Sequence, residues 1–258
     1  GHHARKRTKF KSPIQNNILS KKRISMISVH NLNKSFNNLD AIKNLTIDIN
    51  KGEIYGLLGS NGAGKSTTIN ILLGFLKPDS GDVSINGIDM TINFEEVRKH
   101  IGYIPENVNL YPYLTGVENL DYFCKLSGNN YSSQKLEEFL DQCGLNKDSH
   151  HRRTKAYSKG MRQKVGIAIA LAKDAKVYLL DEPASGLDPL ASNELSGLLR
   201  KLSSDGAAVL MASHDIFRVR ETCNRIGILK NGELLKEMDT SEVSTNELES
   251  IYIDYMQK

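Results

Sequence analysis

The stretch GSNGAGKST, residues 59–67, decides the fold class. It fits the pattern G-x-x-x-x-G-K-[ST] in full, and a strand-like run, Ile54–Leu58, precedes it. A helix is predicted directly after it, over Lys65–Leu73. Glycines let the backbone turn its N–H groups toward phosphate oxygens, and a helix start adds positive potential. This setting predicts a nucleotide phosphate site and argues against a glycine-rich turn that binds nothing.

Each residue of this phosphate loop has an expected role. Lys65 is expected to reach the β- and γ-phosphates, and the Ser66 hydroxyl to ligate Mg²⁺. Thr67 is expected to donate to the α-phosphate. A nucleotide and Mg²⁺ are therefore the expected ligands of this loop, and the resemblance described below implies that the nucleotide is ATP. The predicted nucleotide-binding residues of the loop are Gly59, Ser60, Asn61, Gly62, Ala63, Gly64, Lys65, Ser66 and Thr67.

A second feature is an apolar run, Val177–Leu180, that ends in two adjacent carboxylates. Such a run is typical of a central parallel strand that is buried on both faces. Ligands bind beyond the carboxyl ends of parallel strands, so Asp181 and Glu182 are expected beside the phosphates. Asp181 is suited to Mg²⁺, and Glu182 to the general base for an attacking water. The alternative is two surface acids at the end of a strand.

The order of helices and strands predicts an α/β phosphate-loop NTPase. Strands that alternate with helices form parallel sheets with right-handed crossovers. We therefore expect a mostly parallel core sheet, an N-terminal antiparallel β part and a helical subdomain at about 107–158. The predicted helices are Lys65–Leu73, Thr115–Ser127, Ser132–Cys143, Met161–Ala172 and Leu190–Ser203. The predicted strands are Ile27–Leu32, Leu45–Ile49, Ile54–Leu58, Asp82–Asn86, Val177–Asp181 and Ala207–Ala212.

The charge of the chain is unevenly distributed. Residues 1–25 carry eight Lys and Arg and no acid, whereas the whole chain of 258 residues has a net charge of +4. Residues 26–258, expected to form one nucleotide-binding domain, are therefore mildly acidic. The tail is either an arm for nucleic acid or lipid headgroups, or a disordered stretch outside the domain that was left by cloning or translated from upstream sequence. The second reading is favoured, because the chain begins Gly-His-His and Met26 opens a strand-like run.

Cysteines and apolar runs indicate a cytoplasmic protein. Cys124, Cys143 and Cys223 are widely spaced and odd in number, which argues against a disulfide framework. The longest apolar run, Val165–Ala172, is far shorter than the ~20 residues that span a bilayer. Any membrane-spanning part is therefore expected in another chain.

Several motifs, in a fixed order, resemble the nucleotide-binding domain of ABC transporters over residues 26–235. The phosphate loop is the first of them. The segment YSKGMRQ, residues 157–163, resembles the family signature L-S-G-G-Q. The others are Phe36 at the adenine-stacking position, Asp181-Glu182-Pro183, the loop Ser185-Gly186-Leu187-Asp188, and His214 at the position of the switch histidine.

The resemblance implies that two such domains pair head to tail and hold each ATP between them. The signature residues Ser158, Lys159, Gly160 and Met161 would then act in trans, and Ser185 and Asp188 would lie in the dimer loop. His214 would contact the γ-phosphate and hold the water with the base. The pair would be a homodimer or a heterodimer. A separate transmembrane permease would keep it at the inner face of the membrane.

Two departures from the family pattern indicate which kind of ABC transporter this chain resembles. The segment IGYIPE, residues 101–106, resembles a family loop that normally ends in Gln, and Glu106, which stands in its place, is expected to accept from a water or to lie near Mg²⁺. Tyr157, Lys159 and Met161 replace Leu, Gly and Gln of the signature. These variants resemble the ATPases of efflux systems for drugs, antibiotics, sodium or surface glycans, which implies an exporter.

Two other classes of function compete with a transporter motor. One is a soluble ABC-type ATPase that acts on nucleic acid or ribosomes. This chain has room for one nucleotide domain, and the gap between its motifs is too short for a long coiled coil. The other is a small-molecule kinase or GTPase, but no N-K-x-D motif is present, and adjacent acids suit hydrolysis better. No nucleic-acid partner is therefore expected.

Overall fold

The computed structural model describes residues 25–257, so nearly all of the predicted basic tail lies outside the described residues. The described part folds into two β-sheets and surrounding helices. Its strands are β1 (Ser25–Phe36), β2 (Leu39–Asn50), β3 (Ile54–Leu58), β4 (Ser80–Ile85), β5 (Ile88–Asp89), β6 (Ile101–Ile104), β7 (Val177–Asp181), β8 (Ala208–Ser213), β9 (Arg225–Lys230) and β10 (Glu233–Asp239).

The helices within residues 25–257 are short. The longest of them has 16 residues, and none is both long and apolar enough to cross a membrane. They are α1 (Lys65–Leu72), α2 (Phe94–Lys99), α3 (Gly116–Leu126), α4 (Ser133–Gln142), α5 (Lys147–His150), α6 (Lys159–Ala172), α7 (Pro189–Ser204), α8 (Ile216–Thr222) and α9 (Thr245–Gln257), with 3₁₀ turns at Thr154–Ala156 and Thr240–Glu242.

The larger sheet has the strand order β10-β9-β3-β8-β7-β6. All neighbours in it are parallel except β10, which is antiparallel to β9. Alternate residues of β7 face opposite layers: Tyr178 and Leu180 pack against the helices, and Val177 and Leu179 pack toward the smaller sheet. The predicted parallel core sheet and its doubly buried strand are confirmed. The parallel strands end at one edge, which receives the site.

The smaller sheet is antiparallel, in the order β2-β1-β4-β5. Its first two strands are longer than predicted, because a two-residue hairpin joins them at Asn37 and Asn38. Both have positive φ, of 47° and 66°, the conformation that tight hairpins require. The outer halves of these strands are polar and exposed, so their residues show no apolar alternation from which a strand could be predicted.

Helix capping explains where three helices begin. The Thr115 side chain accepts from Glu118 N, and the Ser132 side chain caps α4 as predicted. The prediction that the sixth helix begins at Met161 is wrong. Ser158 accepts from the backbone N–H of Met161, which places Lys159 and Gly160 inside the first turn of α6. A serine cap bonds the third residue after it, so the helix starts earlier than its apolar face.

The rate of cysteine alkylation tests how tightly the core is packed. Cys124, Cys143 and Cys223 are all buried and free. Burial raises the pKa of Cys124 to about 11 and of Cys143 to about 12, so both thiols stay protonated at neutral pH. Because the thiolate is the reactive form, we expect alkylation by iodoacetamide to be at least about tenfold slower in native protein than in guanidinium chloride. A thiol that reacts equally fast in both conditions would contradict this packing.

Candidate active site

An open cavity of about 860 Å³ lies beyond the carboxyl ends of β3 and β7. Its volume is in the range of small-molecule sites. It brings the phosphate loop together with the acids that the sequence places far away. The predicted residues that line it are Asn61, Gly62, Gly64, Lys65, Ser66, Thr67, Glu106, Asp181 and Glu182.

The three glycines of the loop are needed for different reasons. A Cβ on Gly59 would lie 2.5 Å from the Leu229 carbonyl oxygen, and one on Gly64 would lie 2.6 Å from the Ala41 carbonyl oxygen. Gly62 has open space around it, but its φ of 82° favours glycine. The loop therefore packs closely against the neighbouring chain on one side. On the other side it lines the cavity.

Lys65 is nearly buried, with 5% of its surface exposed. Its Nζ donates to the carbonyl oxygens of Gly59 at 2.7 Å and Ser60 at 3.0 Å. The same Nζ lies 3.5 Å from Glu182 Oε1. Burial of a lysine is tolerated when its charge is paired and hydrogen-bonded, so the loop holds this cation ready beside the carboxylate.

Glu182 occupies an unusual backbone conformation, with φ of 48°. Its N–H donates to the Ala212 carbonyl oxygen at 2.9 Å, which fixes it to β8. His214 Nδ1 donates to Glu182 Oε2 at 2.9 Å, because an ionised carboxylate can only accept. A non-glycine residue in this region costs free energy, and such residues cluster at functional sites. The carboxylate is thus held between His214 and Lys65.

Asp181 is the group best suited to a cation. The pKa of its carboxyl is raised above the ordinary value, mainly by burial and also by the negative charge of Glu182. The hydrogen bond from the Ser66 hydroxyl opposes this and lowers the pKa. Its Oδ1 is buried and has no hydrogen-bond partner among the described residues. Within residues 25–257, no three His, Cys, Asp or Glu side chains form a complete metal cage. This donor set fits Mg²⁺, which takes few protein oxygens and completes its shell with phosphate and water.

Glu106 lines the cavity, but its carboxylate contacts residues on the side of α6 and the β7–α7 loop. Its Oε1 accepts from Ser185 Oγ at 2.8 Å and lies 3.8 Å from Lys159 Nζ. Asp188, the other predicted residue of the loop containing Ser185, caps α7 by accepting from Ala191 N at 2.8 Å.

The signature residues do not join the cavity. Ser158 caps α6, and Lys159, Gly160 and Met161 form its first turn. None of these four lines the cavity that the phosphate loop forms. The structure therefore separates two groups of residues that the sequence motifs assign to one ligand.

Phe36 does not line the cavity either. It is 41% exposed at the end of β1, where Lys34 Nζ lies 5.2 Å from its ring centroid. Other residues that line the cavity were not predicted, namely those of the first hairpin and of the turn at Asn231. Asn231-Gly232 was a recognisable signal, because Asn-Gly is typical of tight hairpins. The unpredicted lining residues are Asn38, Leu39, Asp40, Ala41, Lys43 and Asn231.

Comparison with known proteins relates this geometry to a family. Residues 42–185 match the family model described as ABC transporter. The ABC transporter ATP-binding protein YdbJ of Bacillus subtilis is 38% identical over 214 residues, covering 83% of this chain and 69% of that protein. The bacitracin transport ATP-binding protein BcrA of Enterococcus faecalis is 34% identical over 219 residues, covering 84% and 70%.

A solved structure of an ATP-binding cassette supports the same family. The dimeric ATP-binding cassette MJ0796, bound to ADP and phosphate after hydrolysis, superposes with a TM-score of 0.74 at 30% identity. The alignment covers 83% of this chain and 99% of that one. The matched region contains the phosphate loop and the acidic end of β7. This chain therefore belongs to the ABC transporter ATP-binding proteins, as an ATP-hydrolysing subunit.

Proposed function

We propose that MgATP occupies the cavity of about 860 Å³ with its phosphates on residues 59–67. Lys65 would exchange its bonds to Gly59 and Ser60 for phosphate oxygens. The Ser66 hydroxyl and the unpartnered Oδ1 of Asp181 would hold Mg²⁺, with Glu106 as a further oxygen donor. Phe36 would contact adenine across the exposed end of β1.

Glu182 would act as the general base of hydrolysis. Its carboxylate faces the cavity and is held by His214 on one oxygen and Lys65 on the other. Once Lys65 turns to the phosphates, Glu182 Oε1 becomes free to accept a proton from water. His214 would keep the carboxylate in place and complete the water site near the γ-phosphate. A bound cation would also offset the repulsion between the Asp181 and Glu182 charges.

We infer that hydrolysis needs two copies of the domain. The observation that carries this is that Ser158, Lys159, Gly160 and Met161 are absent from the lining of the cavity that the phosphate loop forms. Residues that do not line the cavity of their own chain are placed to contact a nucleotide bound to another molecule. The partner is a second copy or a related domain, with Ser185 and Asp188 near the junction. Residues 26–258 would act as one unit, with the helices of about 107–158 as its subdomain.

We further propose that the pair drives an exporter through a separate membrane permease. Relatives are named for bacitracin transport and for linearmycin resistance. Tyr111 and Tyr113 are exposed before α3, whereas Val117 and Leu120 of that helix are buried, so the two tyrosines are available to contact a permease. Such a complex would place this chain at the inner face of the membrane.

Ser158→Arg tests the action in trans. We expect the single chain to bind ATP as before, since Ser158 lies outside the cavity, and the pair to lose hydrolysis because a long cation blocks the junction. Ser132→Arg is the matched control, because Ser132 caps α4 with the same bond, of 3.2 Å, that Ser158 makes to α6. It should keep its ATPase activity. Both quantities are measured with a fluorescent ATP analogue and phosphate release.

Mixing two inactive variants sharpens the test. Ser158→Arg keeps an intact phosphate loop, and Lys65→Ala keeps an intact signature. A mixed pair then contains one complete composite site, so turnover should return on mixing. If the mixture stays inactive while both variants remain folded, or if the wild-type chain hydrolyses ATP as a strict monomer, pairing in trans is refuted. The soluble nucleic-acid ATPase would be favoured instead by RNA-stimulated turnover in a chain lacking residues 1–25.

A further inference from the structure

Glu106 lies between the two parts of the chain that carry nucleotide chemistry. Its side chain lines the nucleotide cavity, yet its close contacts are Ser185 Oγ at 2.8 Å and Lys159 Nζ at 3.8 Å. Lys159 is the first residue of α6, next to the capping Ser158. One carboxylate therefore lines the nucleotide cavity and also pairs with a residue of the signature.

The backbone beside Glu106 is fixed. The buried side-chain amide of Gln163, on α6, donates to the Glu106 carbonyl oxygen at 2.9 Å. The same nitrogen lies 3.4 Å from the Pro105 carbonyl oxygen and 3.3 Å from that of Pro183. These bonds tie the segment after β6 to both α6 and the segment after β7. They hold the backbone of Glu106 and make no contact with its side chain, which is 47% exposed.

The ion pair between Glu106 and Lys159 is suited to exchange. Its atoms are 3.8 Å apart and the Glu106 side chain is 47% exposed, so the attraction is weak and screened by water. The negative charge of Glu106 is also the smallest of the causes that raise the pKa of Asp181, after burial and the charge of Glu182. A divalent cation beside Asp181 would attract this carboxylate more strongly than a single lysine does.

We propose that Glu106 is a positioning residue that pairs with Lys159 in the empty chain and turns to the metal in the loaded one. Lys159 is thereby released to meet the nucleotide of a second copy only after the chain's own cavity is filled. This rests on the proposed function, in which the signature acts in trans. The proposal adds an order of events to that function: each copy binds its own nucleotide before it completes the site of its partner.

The test measures metal affinity in the single chain. Mn²⁺ binding to ADP-loaded protein is followed by electron paramagnetic resonance, because ADP lacks the γ-phosphate that would draw two copies together. Lys159→Met removes the competitor for Glu106 and keeps the length of the side chain. We expect the Mn²⁺ dissociation constant to fall about threefold, the size of a half-exposed ion pair.

Removing the positive charge of Lys159 would by itself strengthen binding of a nearby cation. Lys159→Met is therefore also made in a Glu106→Gln chain. There the pair is already absent, and Lys159→Met should change Mn²⁺ affinity by less than about 1.5-fold. Lys164→Met is the matched control: it lies on the same helix, and the exposures of its pair with Glu194, 18% and 47%, nearly equal the 20% and 47% of Lys159 and Glu106. It should leave Mn²⁺ affinity unchanged.

The outcomes separate this proposal from the proposed function. Equal gains in both backgrounds, or no gain in either, would overturn the role of Glu106 and leave hydrolysis in trans untouched. Failure of the wild-type chain to bind Mn²⁺ with nucleotide would overturn both. Metal-free ADP affinity verifies that each variant is folded, and Lys159→Gln replaces the methionine variant should that one fail this check.

Discussion

Glu182→Gln is expected to bind ATP with near wild-type affinity and to lose hydrolysis by at least about 100-fold. The amide keeps the shape of the side chain and a hydrogen-bonding oxygen toward His214, whose Nδ1 lies 2.9 Å from the carboxylate in the wild-type chain. It cannot take a proton from water. ATP then stays intact between two copies, and the pair should accumulate. Phosphate release and size-exclusion chromatography with ATP measure the two effects.

The control for this variant is Glu53→Gln. The side chains of Glu53 and Glu182 are similarly buried, at 12% and 14% exposed, and each faces a cation. Glu53 directly precedes β3, at the edge of the sheet opposite the site. It should hydrolyse ATP at the wild-type rate. Normal turnover by Glu182→Gln would remove this residue as the base, whatever the control does.

Lys65→Ala is expected to weaken ATP binding by about 100-fold or more, because hydrogen bonds from a charged group to phosphates are among the strongest in proteins. The substitution also leaves Glu182 Oε1 buried and without its nearest cation, 3.5 Å away in the wild-type chain. Negative charge without that partner further disfavours an anionic ligand. Titration with a fluorescent ATP analogue gives the dissociation constant.

Lys43→Ala removes the same charge from the same cavity and serves as its control. Lys43 lines the cavity from β2 and pairs with Glu233 at 3.2 Å, outside the phosphate loop. We expect the ATP dissociation constant of Lys43→Ala to change by less than about fivefold, which is the range of a screened ion pair. Unchanged ATP affinity in Lys65→Ala would contradict the position assigned to the phosphates.

The hairpin at Asn231 shows why local patterns missed part of the site. Asn231-Gly232 joins β9 to β10, and the Gly232 N–H donates to the Ala63 carbonyl oxygen at 2.9 Å. Its turn signal was visible in the sequence, but its contact with residue 63 depends on pairing across the whole sheet. The same holds for Leu39 and Lys43, whose side chains reach the cavity only because the smaller sheet packs beside the loop.

The sequence by itself determined the phosphate loop, the doubly buried strand before Asp181 and the α/β class. These follow from residue type and spacing within a few neighbours, as the glycines of residues 59–64 and the run Val177–Leu180 illustrate. Tertiary structure alone decided that Lys65 lies beside Glu182, that Ser158 is outside the cavity and that Glu106 pairs with Lys159. Such contacts join residues far apart in the chain, and their distances are set by how sheets and helices pack rather than by any local pattern.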